Sequence, residues 1–375
     1  MTANSRRPRG LRLWPVGTAL ALTFTAAIAV AATAFFIGWD LLGARSLKPE
    51  RQLTSSTLFD LVKLSFGVVA GAGALVALVV AYRRQRVDED GALRESTRLH
   101  TERFTTAVSQ LGDESAAVRL GGVHALAGLA DDAPTRALRQ TCIDVLCAYV
   151  RLPYTLEAHL PTGDIAARHA YVSLREVRHT VIRLIRDHLQ LDADHPRSWG
   201  GHDFDFTGAV FDGGDFGGAK FHGGTADFSR VSFAAGHVSF TFASFAGDGS
   251  GNFRGASFAG GTVSFSHTTF DGTIFDEVTV DFRGASFTGG TVNFRGASFT
   301  GGMINFDGVS FEGSAVDFRE AYFSSRTVRF FRVDFRAGAV DFSGARGTVP
   351  NGLVPPSGAP LPAGLTIPPA WHQTP

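Results

Sequence analysis

The chain has 375 residues, with 35 basic side chains against 35 acidic ones, two Cys and five Tyr, yet 33 Phe and 44 Gly. The charge balance excludes a strongly basic nucleic-acid binder, the 44% hydrophobic content excludes a disordered tail, and two Cys exclude a disulfide scaffold or a Cys-based zinc cluster. Twenty-seven Phe and 27 Gly fall between Gly200 and Ala345, a stretch without Leu, Pro, Trp or Cys, and such a bias points to a repeat.

The zero net charge is a cancellation. Residues 1 to 82 carry eight basic and three acidic groups, 83 to 199 carry sixteen of each, and 200 to 345 carry ten basic and sixteen acidic. After a basic N-terminus over 1–13, the 25 uncharged residues from Pro15 to Trp39 exceed the roughly 20 that cross a bilayer core. They predict a transmembrane helix over 14–39, an external loop over 40–63 and a second transmembrane helix over 64–82. Trp14, Trp39 and Tyr82 stand at the interfaces. Arg6, Arg7, Arg9 and Arg12 precede the pair, and Arg83, Arg84 and Arg86 follow it. By the positive-inside bias both termini lie in the cytoplasm and the protein is multi-pass in the plasma membrane. A cleaved signal is the competing reading, from Ser5-Arg6-Arg7 and Ala32-Thr33-Ala34, but the uncharged core is too long for a normal signal. Gly67, Gly71 and Gly73 suit close helix approach, either to Ala27 and Ala31 of the same chain or to a second copy in a homo-oligomer. Neither span holds an ionisable residue, which argues against a channel or transporter.

Residues 83–199 predict a small all-α cytoplasmic adaptor. One helix closes at Gly112, and Asp113 is placed to cap the next, with Val118, Val123, Leu126 and Leu129 on one face. After Pro134 a further helix aligns Ile143, Leu146 and Val150, giving a paired unit that looks like a HEAT or armadillo element. A last amphipathic helix ends before Pro196. Cys142 and Cys147 lie five apart, too far around the helix for a disulfide, and are expected to be buried and inert. His169, His179 and His188 lack helical metal-site spacing and are expected to be solvated or to hydrogen-bond between helices. Arg175, Arg178, Arg183 and Arg186 form a basic helix face for solvent or for membrane phosphates.

Phe then recurs at 206, 211, 216 and 221, and later at alternating spacings of five and seven: Phe282, Phe287, Phe294, Phe299, Phe306, Phe311, Phe318, Phe323, Phe330, Phe335 and Phe342. A period of five fits neither a helix nor a simple strand. It fits a chain that turns a corner every five residues, with Phe and the residue two before it inward. Four such faces make one coil of a β-helix, and the two-residue inserts give regular coils of about 24 residues stacked about 4.8 Å apart. In that geometry Phe282, Phe306 and Phe330 form one column and Phe294, Phe318 and Phe342 another. The adaptor, ending at Trp199, is expected to cap the first coil. The Pro-rich tail over 346–375 is expected to add no regular strands, while partly covering the last coil.

Ala226-Asp227-Phe228, Val292-Asn293-Phe294, Ile304-Asn305-Phe306, Val316-Asp317-Phe318 and Val340-Asp341-Phe342 resemble the A-(D/N)-(L/F)-x-x consensus of the pentapeptide-repeat family, over residues 204 to 345. The preceding stretch, ERFTTAVSQLGDESAAVRLGGVHALAGLADD with CAYVRL after it, is similar to the helical region of membrane-anchored bacterial members. The resemblance implies a right-handed quadrilateral β-helix and a structural ladder that includes Phe228. The fold class is therefore mixed: two transmembrane helices, an all-α adaptor, and a solenoid over 200–345. The two-residue inserts, a bulge at Gly247 to Gly251 and an unpaired pentapeptide around Phe275 depart from the family pattern.

No catalytic constellation, cofactor motif or metal cluster emerges. The expected function is a non-enzymatic, membrane-tethered scaffold whose lateral faces bind an unidentified protein partner, with Arg283, Arg295, Arg319, Phe331 and Arg332 as candidate contacts alongside Arg326 and Arg336. Family resemblance supplies the alternative, a DNA mimic that binds a type II topoisomerase. A net charge of −6 over 146 residues is weak for a phosphate array.

Overall fold

The computed structural model describes residues 16–41, 55–247, 249–272, 278–324, 328–355 and 359–373. The basic N-terminus over 1–13, residues 42–54 of the expected external loop, the side chains of Ala27 and Ala31, Phe275 and Arg326 lie outside the described residues. The chain forms two compact units, residues 1–96 and 97–375.

Helices are α1 (Val16–Leu41), α2 (Ser55–Leu111), α3 (Ala116–Asp131), α4 (Arg136–Arg151) and α5 (Ile165–Gln190). By length and composition α2 is apolar enough to cross a membrane, with a mean hydropathy of 2.3 in its apolar window. It differs from the sequence expectation in being continuous. It begins within the segment assigned to the loop and runs through the charged stretch after Tyr82 without a break at Gly91. Ideal Cβ atoms on Gly67, Gly71 and Gly73 would meet nothing within 4 Å, so packing on described residues of the same chain does not explain these glycines.

Gly112 closes α2, its N–H donating to Val108 O at 3.1 Å. Ser115, rather than Asp113, occupies the cap position of α3, and Asp113 Oδ1 accepts from the Ser115 N–H. Thr135 and Asp164 cap α4 and α5 through their side chains. Val123, Leu126, Leu129, Ile143, Leu146 and Val150 are buried, whereas Val118 is exposed. The α2–α3 crossing depends on Gly122, where a Cβ would lie 2.6 Å from Leu111 N and 2.9 Å from Ala107 O.

From Phe204 the chain winds a parallel β-solenoid of about six coils on four sheets. The first face runs from strand Phe204–Asp205 to Val328–Arg329, the second from Val210–Phe211 to Asp334–Phe335, the third from Gly214–Asp215 to Ala339–Asp341, and the fourth from Lys220–His222 to Arg346–Gly347. Register places Phe204 opposite Ala226, Ala226 opposite Gly251, Gly251 opposite Val280, Val280 opposite Ile304, and Ile304 opposite Val328. Successive coils therefore take 22, 25, 29, 24 and 24 residues, so the 24-residue period belongs to the later coils. The ring of Phe282 stacks on Phe306 at 4.6 Å and Phe306 on Phe330 at 4.6 Å, while Phe294 stacks on Phe318 at 4.7 Å and Phe318 on Phe342 at 4.4 Å.

Corners after the first and third faces repeat one device. The side chain before the inward Phe accepts the N–H two residues on, as Asp205 does from Thr207, Asn293 from Arg295 and Asp341 from Ser343. The Phe carbonyl then accepts from the N–H three residues on, as Phe206 O does from Ala209 N and Phe294 O from Ala297 N. The third residue of the turn has positive φ, the signature of a type II turn: Gly208 at 70°, Gly255 at 64° and Gly296 at 67°.

Both ends are covered. Parallel sheets leave an open edge of backbone groups, and side chains of α4 and α5 meet it at the first coil. Arg178 donates to Val210 O and Val150 O at 2.5 Å each, Gln190 to Gly217 O at 2.6 Å, and Arg136 to Gly201 O. Gln140 donates to Asp203 O and accepts from Asp203 N.

At the other end the tail corrects the sequence expectation, because it does add strand pairing. Arg346–Gly347 pairs with Tyr322–Phe323, Leu365–Thr366 pairs with the Ala339–Asp341 strand, and Asn351 bridges to Arg329. Leu353, Leu365, Ile367 and Trp371 are buried over the last coil, with the Trp371 ring centroid 5.8 Å from Phe323 and 5.9 Å from Phe342. Proline is tolerated because a capping strand is an edge, and the pairing falls on Asn351, Gly364, Leu365 and Thr366, none of them proline.

Candidate functional site

The ladder residues Phe206, Phe211, Phe216, Phe221, Phe228, Phe282, Phe287, Phe294, Phe299, Phe306, Phe311, Phe318, Phe323, Phe330 and Phe342 are buried, and Phe335, in the last coil, is partly buried while stacking on Phe311 at 5.4 Å. With their side chains inside, any lateral contact falls to the corner residues and to those flanking each Phe.

The sequence-predicted contacts fall on two different corners. Arg283, Phe331 and Arg332 lie on the turn between the first and second faces, and Arg295 and Arg319 on the turn between the third and fourth. In a four-sided coil these corners are diagonal, so the five residues form no single surface. Most are also engaged with carboxylates of the solenoid itself. Arg283 makes a bidentate pair with Asp281, Arg295 donates to Glu320 at 2.5 Å, and Arg319 pairs with Asp317 at 2.7 Å. The pairing lowers the pKa of Asp317 and Glu320 and raises that of Arg319; for Asp317 burial acts the other way and is outweighed. Exposed, solvent-screened pairs of this kind add little stability, and their main consequence is neutralisation of the carboxylates they engage. Phe331 packs against the tail, where a Cβ on Gly352 would meet its ring at 2.6 Å, and the Arg329 guanidinium sits 5.2 Å from its centroid. Arg336 pairs with Asp334 at 2.6 Å.

A different feature occupies the corner between the third and fourth faces. Phe242 is 67% exposed, and its ring stacks on His267 one coil above, with centroids 5.2 Å apart and planes within 11°. Both sit at the third turn position, with φ of 58° and 54°. Every described non-glycine residue with positive φ occupies that position: Arg230, Phe242, His267, Glu320 and Arg332. An L-residue there costs about 1 kcal/mol or more, and a bulky one is the least common. The step continues over Gly296, where a Cβ would lie 2.6 Å from the His267 ring, so the glycine leaves room for the imidazole. Around the two rings the outward residues are Thr241 and Ser266 on the corner and Ser244 and Thr269 on the next face, with Arg295 one coil above Ser266. The arrangement is a raised aromatic step in a field of hydroxyls and glycines, suited to enter a partner's apolar pocket.

The sequence held a signal for it. Phe240 and Phe245 keep the five-residue ladder, so the intervening Phe242 falls out of register and its turn position points it outward. Phe331 is out of register in the same way, after Phe330, and stays 43% exposed, but one side of its ring packs against the tail at Gly352.

No group of three His, Cys, Asp or Glu among the described residues is arranged to hold a metal. Cys142 and Cys147 are buried, and burial pushes the Cys142 thiol up to about 11 and that of Cys147 higher still, so neither is a nucleophile at neutral pH. His188 stacks on Trp199 at 4.1 Å and approaches Asp131 at 3.1 Å, a contact between helix and cap rather than a catalytic pair. Compared with protein-family models and with curated proteins, the chain matches none of either.

Proposed function

We propose that the chain is a non-enzymatic, membrane-tethered scaffold of the pentapeptide-repeat kind. Two N-terminal transmembrane helices hold it in the plasma membrane, both termini are cytoplasmic, and a right-handed quadrilateral solenoid presents a contact surface to a protein partner. The observation that carries this reading is the exposed Phe242–His267 step, held in a strained backbone conformation on one corner of the solenoid. Local strain that the surrounding coils over-determine is characteristic of contact sites. The membrane part is supported by the apolar stretch of α2 and by the uncharged run before it.

In-cell crosslinking and pulldown should compare the full-length protein, the Phe242→Ser/His267→Ser variant and a chain lacking residues 200–345. The proposal predicts one partner that both altered chains lose. A partner retained by both would contradict it. Recovery of a type II topoisomerase that survives Phe242→Ser/His267→Ser but not loss of the solenoid would favour the DNA-mimic reading, against which the Arg-neutralised carboxylate ladder stands.

A further inference from the structure

Where α5 lies along the first coil, the two leave a cleft of about 630 Å³. One wall is a stripe of basic residues on α5, Arg175, His179, Arg183 and Arg186, at spacings of four, four and three that keep them on one helical face. The stripe is roughly 16 Å long at 1.5 Å per residue. The opposite wall is formed by Gly213, Gly214, Asp215, His237 and Ser239, and its two glycines carry φ of 139° and 143°. A Cβ on Gly213 would lie 3.1 Å from the His179 ring and one on Gly214 3.0 Å from Ile182 Cδ1. The two glycines let the first coil approach α5 closely at the floor of the groove.

The donors of this groove exceed its acceptors. Asp212, below the groove and 4% exposed, is already occupied by Tyr154 Oη at 2.6 Å, Tyr171 Oη at 2.7 Å and His179 at 3.4 Å. Arg175 Nε is 3.3 Å from Asp212 Oδ2, yet it is buried without a hydrogen bond. Arg186 divides its donors between Asp187 and Asp215. Arg183 has no carboxylate within ion-pair distance among the described residues and makes a single 3.5 Å hydrogen bond to Thr180 Oγ1. Among the described residues Glu176 and Asp215 line the groove beside three arginines, Asp212 and Asp187 engage Arg175 and Arg186 from its edges, and His237 adds a further imidazole on the solenoid side.

We infer that this groove binds an extended anion carrying two phosphoryl groups, with Arg183 as its principal contact and Arg175 and Arg186 as flanking ones. A single carboxylate would span one turn of the stripe. Two linked phosphoryl groups offer enough acceptor oxygens, over enough length, to meet guanidinium donors on successive turns. A soluble diphosphate and the paired phosphates of a lipid headgroup share this chemistry.

The test uses the full chain in neutral detergent, titrated by calorimetry with inorganic pyrophosphate and, separately, with cardiolipin micelles. Arg183→Glu and Arg183→Gln are compared with Arg254→Glu, an exposed solenoid substitution away from the groove, and a thermal melt confirms that each variant is folded. The proposal predicts binding of at least one ligand, weakened tenfold or more by Arg183→Glu, several-fold by Arg183→Gln and less than twofold by Arg254→Glu. Pyrophosphate binding with that pattern assigns the soluble source, and cardiolipin binding alone assigns the lipid source. No binding of either, equal affinity in Arg183→Glu, or an equal loss in Arg254→Glu would overturn it.

Discussion

At one position of the repeating turn the energetic preference is for glycine, and five other side chains occupy it. Glu320 there is held by Arg295 and Gly296 accommodates the His267 ring, but Phe242 gains no burial in return for its conformation. Phe242→Gly is therefore expected to leave stability unchanged or raise it by up to about 1 kcal/mol, since relief of the left-handed strain is partly offset by the flexibility of glycine in the unfolded chain. Phe294→Ala, by contrast, removes a fully buried ring from the stack and should cost about 3 to 5 kcal/mol. Chemical denaturation of the two variants checks both, and comparable losses would show that Phe242 is part of the core. The inward Phe were legible from spacing alone. Phe242 was available from the same spacing as an exception, but an off-ladder Phe at a corner is indistinguishable from Phe331 until the tail is seen to pack against one of them.

Asp212 illustrates what spacing does not reveal at this scale. Burial acts to raise its pKa, but hydrogen bonds from His179, Tyr154 and Tyr171 outweigh that and hold the carboxylate well below its ordinary range. A folded-state value below the unfolded value of about 3.9 gives stability that is full above that pH and is lost as pH falls below it. The stability difference between the natural chain and Asp212→Asn should therefore be largest near neutrality and shrink below about pH 4; a difference independent of pH would contradict the assignment. Asp212 stands one residue beyond a ladder Phe, and its partners come from residues 154 to 179. Nothing local in the sequence joins them.

Among the elements, the coil is the unit of construction. Residues 291–314 supply one strand to each of the four faces, and Thr291 lies opposite Ala315 in register. Their deletion should join Gly290 to Ala315 with every downstream column intact, and the shortened chain is expected to retain a cooperative melt and the full cap. Loss of cooperativity would mean that coils are not interchangeable along the rod. Coil existence and Phe columns were legible because burial imposes the period. Coil length, 22 residues in the first coil and 29 in the third, was not legible in the same way, because the Phe ladder fixes the residues on the faces and not the number between them. The tail was misread for a related reason. Its prolines argue against a central strand, but a capping strand has one unpaired edge, and Trp371 contributes an indole N–H to Gly347 O at 3.3 Å while covering the last Phe rings. Continuous helicity from Ser55 to Leu111 was likewise hidden, since hydropathy marks the apolar window and not the helix that extends beyond it.

For the whole molecule, the architecture divides function from stability. The solenoid interior is so uniformly filled that its stability does not depend on any one corner, which leaves corner residues free to serve a partner. Carboxylates of the later coils pair with Arg283, Arg295, Arg319, Arg329 and Arg336, which weakens the field of a solenoid that keeps a net charge of −6. Recognition by such a rod rests on shape and on exposed aromatic surface more than on electrostatic steering. The most direct measurement places a photo-crosslinking amino acid at position 242 of the full-length protein in intact cells, with position 331 as the comparison. The scaffold account predicts a discrete adduct from 242 that is absent from 331, which lies on the diagonal corner with its ring packed against Gly352 of the tail. No adduct from 242, or the same adduct from both positions, would contradict it.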